Sequence, residues 1–145
     1  MYGFFSIAQY SYHAIKRFNE NGSLDTSFGS NGEVRITNGQ HISISSIESF
    51  GNGQLIVVGG TNDYKGNPIS FIKVLDSSGQ LDTKFHSNNS FIFDNTNNYD
   101  FGVRSLVTSK GDIILLTNEA IIKYDQNGNI LFKTKLSNEL SVGDG

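Results

Sequence analysis

The chain has 145 residues, a net charge of −3, and eleven Lys and Arg scattered along it. Nucleic acid and anionic membrane both need clustered positive charge, so both are poor partners, and no apolar run is long enough for insertion into a bilayer. Charged residues make up only 17%, against about 25% in ordinary domains, while eleven Phe and six Tyr supply a core, and the absence of Cys rules out disulfides and thiolate metal sites.

The chain opens on MYGFFSIAQYSYH, which has a short apolar run but no basic region and no small-residue cleavage site. It predicts one or two strands within residues 3–10, not an export signal. Strands follow at 14–19, 33–37, 42–49 and 54–60. Val34 with Ile36, and Ile42 with Ile44, alternate as half-buried strands do. The run 54–60 is continuously apolar, as in a strand covered on both faces. Asn-Gly pairs at 21, 31, 38, 52 and 127 mark tight turns that need positive φ. Further strands are expected at about 69–76, 90–94, 101–108 and 112–117, with two more near 120–134.

These elements repeat. Ile15-Lys16-Arg17-Phe18-Asn19, Gly22 and Leu24-Asp25-Thr26-Ser27-Phe28 match Ile72-Lys73-Val74-Leu75-Asp76, Gly79 and Leu81-Asp82-Thr83-Lys84-Phe85 at an offset of 57 residues. Gly53 to Val58 matches Gly111 to Leu116 at an offset of 58. A third copy opens at Ile122-Lys123-Tyr124-Asp125 with turn glycine Gly128, but has Ile130-Leu131-Phe132-Lys133-Thr134 where the others have L-D-T-x-F. Four short antiparallel strands per 50–60 residues, in tandem, are the signature of β-propeller blades. The fold expected is therefore all-β, an incomplete propeller of four-stranded repeats. Its segments would be 1–13 (strands of a preceding or shared blade), 14–63 (first blade), 64–119 (second blade) and 120–145 (partial third blade).

The first unit, from Ala14 to Gly60, resembles the delta-60 repeat family of bacterial propeller-type repeats. The second resembles it from Phe71 to Thr117, with His86 and Asn89 where the first has Gly29 and Gly32, and the third only from Ile121 to Gly128. The resemblance implies a propeller fold in a large secreted or surface protein. It implies no catalytic residues.

Little in the sequence points to chemistry. Asp25 and Asp82 occupy equivalent positions, where a carboxylate before Thr caps turn amides. Asp125-Gln126-Asn127-Gly128-Asn129 has alternate oxygen ligands, but an EF-hand needs Gly at its sixth position and Glu at its twelfth, so a hairpin turn is expected. Asp94 to Asp100 holds more oxygen ligands and reads first as a solvated loop. His13, His41 and His86 lack ligand spacing, and Val58-Gly59-Gly60-Thr61 lacks that of a dinucleotide loop. No enzyme activity, cofactor or metal site is expected.

The loop from Thr61 to Pro68 is longer than its counterpart Asn118-Glu119, so Asn62, Asp63, Tyr64, Lys65 and Asn67 form the candidate binding loop. The function expected is a non-enzymatic scaffold or recognition surface for protein or carbohydrate, at a bacterial cell surface or outside the cell. The rival is a structural subunit of a large assembly, such as a surface apparatus or virion, or a fragment of a longer propeller. A propeller closes with about four to eight blades, so protein partners are expected, either further copies of the chain or a larger assembly.

Overall fold

Eleven strands form three antiparallel sheets in a computed structural model that describes residues 3–9, 12–36, 42–50, 52–62, 68–85, 91–92, 102–117 and 120–136. The first sheet is β1 (Gly3–Gln9), β2 (Tyr12–Phe18) and β3 (Glu33–Ile36), in that order. The second is β4 (Ser43–Ser49), β5 (Leu55–Asn62), β6 (Pro68–Leu75) and β7 (Phe91–Ile92). The third is β8 (Gly102–Val107), β9 (Ile113–Thr117), β10 (Ala120–Tyr124) and β11 (Ile130–Lys135).

Strand positions follow the sequence patterns closely, but the sheets are out of phase with the segments expected. The segment 14–63 is divided: its first two strands pair in the first sheet and its last two in the second. The segment 64–119 is divided in the same way between the second and third sheets. A tandem repeat has no intrinsic starting point in sequence. Hydrogen bonding sets the frame, and each sheet begins at the third strand of a repeat unit.

Five hairpin turns share one geometry. In each, the glycine N–H donates to the carbonyl three residues earlier, and that earlier residue's N–H donates to the residue after the glycine. The glycines are Gly22, Gly53, Gly79, Gly111 and Gly128, with φ between 82° and 87°, the left-handed region where a side chain costs energy. Polar residues lock the turns: Asp76 Oδ1 accepts from the N–H of Ser78 and Gln80, and Asp125 Oδ1 from Asn127 and Asn129. A sixth turn, Ser30 to Glu33, has φ of 53° at Asn31 and 86° at Gly32. Positive φ at both central residues is the type I′ geometry that suits twisted strands.

Period-two alternation divides the middle sheet between two cores. Leu55, Val57, Phe71 and Leu75 face the first sheet, where they meet Ile15, Phe28 and Ile36. Ile56, Val58, Ile72 and Val74 face the third sheet and meet Ile113, Leu115, Ala120, Ile122 and Tyr124. This explains the unbroken apolar run of β5, since both of its faces are covered. Lys73 shares the face of Phe71 and Leu75 and is buried, its ammonium 6.0 Å from the Phe71 ring centre. Burial holds its pKa below the ordinary lysine value. The second and third sheets lie closest at β4 and β8, where Ser105 Oγ donates to Ser46 Oγ at 2.9 Å.

The L-D-T-x-F element acts as a plug. Leu24 bridges back to Phe18 and Leu81 to Leu75, after which the chain leaves the sheet and inserts Phe28 or Phe85 between that sheet and the next. The third copy lacks this element. There Ile130 takes the position of Leu24 and Leu81, opposite Tyr124, and the chain stays paired as β11, every residue of which is exposed.

Candidate binding surfaces

The repeated aspartates are fully engaged in turns. Asp25 Oδ1 accepts from the N–H of Ser27 at 3.0 Å and Asp82 Oδ1 from the N–H of Lys84 at 2.9 Å. The second oxygen ties each turn to its sheet: Asp25 Oδ2 accepts from Arg17 Nε at 2.8 Å, and Asp82 Oδ2 from Gln54 Nε2 at 2.7 Å. Hydrogen bonds from Ser27, with a smaller contribution from Arg17, hold the Asp25 carboxyl below its ordinary pKa. A carboxylate already satisfied by amides and a cation is a poor base and an unavailable ligand. The loop Asp125 to Asn129 is likewise a closed hairpin turn with Gly128 at φ 84°.

Among the described residues, no three His, Cys, Asp or Glu side chains come together as a metal would require. His13 lies on β2, opposite Ile36. His41, His86 and the segment 94–100 lie outside the described residues. Of the candidate loop, Asn62 is the last residue of β5 and pairs with Pro68, which opens β6. Asp63, Tyr64, Lys65 and Asn67 lie outside the described residues.

A polar hollow of about 580 Å³, lined by Ser30, Asn31, Glu33 and Arg35, opens on the first sheet. The type I′ turn builds its rim, closed by the Ser30 N–H to Glu33 carbonyl bond of 2.8 Å and the reciprocal bond of 3.2 Å. Arg35 Nε donates to Glu33 Oε1 at 2.7 Å, and Lys16 Nζ stands 3.5 Å from Glu33 Oε2. The Arg35 hydrogen bond leads the effects that hold Glu33 below its ordinary pKa. The hollow thus presents a fixed anion between two cations, beside the side chains of Ser30 and Asn31. Such a set of donors and acceptors suits hydroxyl-rich or amide ligands. Sequence reading singled out the Asn31-Gly32 turn but not the hollow, because Lys16 and Glu33 are seventeen residues apart and meet only through the register of β2 with β3.

No curated protein matches this chain. The model of a β-propeller domain of unknown function (DUF5122) matches residues 3–28, which hold β1, β2, the Gly22 turn and the first L-D-T-x-F element. The fold is similar to that of a protein of unknown function from Bacteroides caccae, known from a crystal structure. The TM-score is 0.53 at 13% identity, over 93% of this chain and 47% of that one, so the chain spans about half the length of this neighbour. The protein is an all-β chain of antiparallel sheets carrying a β-propeller-type repeat.

Proposed function

We propose that this chain is a non-enzymatic β-propeller module of the delta-60 type, which presents a recognition or scaffold surface for protein or carbohydrate at a bacterial cell surface. The supporting observation is that the residues fixed by repetition build the fold. Asp25 and Asp82 cap turns, Phe28 and Phe85 plug cores, and the five turn glycines reverse the chain. Variation lies in connections and edges: the Thr61–Pro68 loop, the hollow at Glu33 and Arg35, and β11. Binding surfaces are commonly grafted onto such variable segments of a rigid repeat.

The test is a glycan array probed with the purified chain, with titration calorimetry on any hit. Saturable binding to a defined glycan is expected. Arg35→Ala would abolish it if the hollow carries recognition, and Tyr64→Ala with Lys65→Ala if the loop does. Product release from a glycan at a rate that tracks folded protein would overturn the non-enzymatic reading. Protease treatment of intact bacteria tests location, with digestion before lysis the expected result.

A further inference from the structure

Resting on the propeller reading above, we infer that the outer face of the third sheet is a docking surface for a second copy of this chain, which covers it with the outer face of its first sheet. The third sheet repeats the second position by position. Leu116 stands five residues after Gly111 as Val58 does after Gly53, and Ile121 seven before Gly128 as Ile72 does before Gly79. Ile114 likewise corresponds to Ile56. On the second sheet, Ile56, Val58 and Ile72 are buried under the third. On the third sheet the corresponding face has no sheet over it among the described residues: Leu116 is 38% exposed, Phe132 46% and Leu106 57%. Cross-strand pairing joins these into one surface, with Leu106 opposite Ile114, Ile121 opposite Leu116 and Lys123 opposite Phe132.

The complementary surface is the one each sheet turns toward its predecessor. Six residues before the turn glycine, that surface carries Lys73 on the second sheet and Ile122 on the third, both buried. On the first sheet the same position is Lys16, on the face opposite Ile15 and Arg17, which both point to the second sheet. The burial of Lys73 shows that a lysine is accommodated in such an interface.

The third sheet also departs from the repeat where it would plug a following blade of its own kind. It has no L-D-T-x-F phenylalanine, and Phe132 stands on the outer face instead. An atypical terminal unit made for solvent would be polar there. This one is apolar, as an interface is. Finally, this chain accounts for 47% of the longer Bacteroides caccae protein of similar fold, so two copies supply a comparable length. The interface is heterologous, first sheet against third, and closes by rotation into a ring.

The experiment uses the absence of native cysteine. Light scattering of the wild type at micromolar concentration is expected to give an integer multiple of the chain mass, two or more. Leu116→Glu, and independently Phe132→Glu, should reduce it to a monomer. Mixing Lys16→Cys protein with Leu116→Cys protein under mild oxidation should yield a mixed disulfide dimer, because Ile122 and Val58, at the corresponding positions, share one core. Neither variant alone should cross-link. A monomeric wild type, an oligomer insensitive to both charge substitutions, no mixed disulfide, or cross-linking of Leu116→Cys with itself would each overturn the proposal. Circular dichroism and denaturation of the same samples report the sheet fold separately. An all-β monomer would refute the interface alone, and a non-β spectrum would refute the propeller reading.

Discussion

The guanidinium of Arg17 donates through Nη1 to the backbone carbonyl of Ser77, sixty residues along the chain, while Nε holds Asp25 and the cation stacks 4.7 Å from the Phe28 ring centre. One side chain thus joins the first sheet, its own plug and the turn of the second sheet. The N–H of Gly29 donates to the carbonyl of Ser78 at 2.7 Å and closes the same seam. In the second repeat Val74 takes the place of Arg17 and Gln54 reaches Asp82 from β5, so the aspartate keeps a partner from a different strand.

Arg17→Ala should lower the urea midpoint of unfolding. Arg17→Lys should recover only part of the loss, because an ammonium cannot reproduce the forked donors that reach Asp25 and Ser77 together. Equal midpoints for the Lys variant and wild type would mean that charge alone accounts for the contact.

Phe28 and Phe85 are equivalent plugs in different cores, and each is buried. Phe→Ala at either site should cost about 3–5 kcal/mol by equilibrium denaturation. The two costs should add within about 0.5 kcal/mol, since the sites share no core. Strong coupling in the double variant would mean that the cores respond as one.

Gly22 and Gly79 have nearly the same φ, 83° and 87°, but different surroundings. A Cβ at Gly22 would meet nothing within 4 Å, whereas at Gly79 it would lie 2.7 Å from Val34 Cγ2 and 2.9 Å from the Gly29 nitrogen. Gly22→Ala should therefore cost only the left-handed penalty of about 1–2 kcal/mol. Gly79→Ala should cost clearly more, because it also forces the two sheets apart. Equal losses, read from urea melts, would remove the steric contribution.

Asp25, Asp76 and Asp125 all have pKa values held below the ordinary carboxylate value, led by hydrogen bonds from Ser27, Ser78 and Asn129 respectively. A depressed native pKa contributes stability that is present above the unfolded value and is lost as pH falls through the native value. The urea midpoint should thus hold from neutrality to about pH 5 and decline steadily below it. Asp76→Asn keeps a side-chain acceptor but removes one titrating group, so its acid decline should be shallower. An unchanged slope would assign the acid sensitivity elsewhere.

Local rules read in the sequence carried a long way. Asn31-Gly32 and Asn127-Gly128 fall in turns with positive φ, the alternating and continuous apolar runs became strands, and Asp25 and Asp82 cap the turns they precede. Each depends on residues a few positions apart, where backbone sterics and side-chain reach decide the outcome. Composition and periodicity were likewise enough for the all-β class.

What sequence spacing left open is the grouping of those strands and the contacts between groups. The repeat runs through the chain without a marked origin, so only hydrogen-bond pairing shows that β3 closes one sheet and β4 opens the next. The hollow at Glu33 arises from β2–β3 register, and the Arg17–Ser77 contact from the stacking of two sheets. Alternation by two tells which residues share a face, but not what covers it. Ile56 and Ile114 occupy the same repeat position, and tertiary stacking alone buries the first and leaves the second on the outer face.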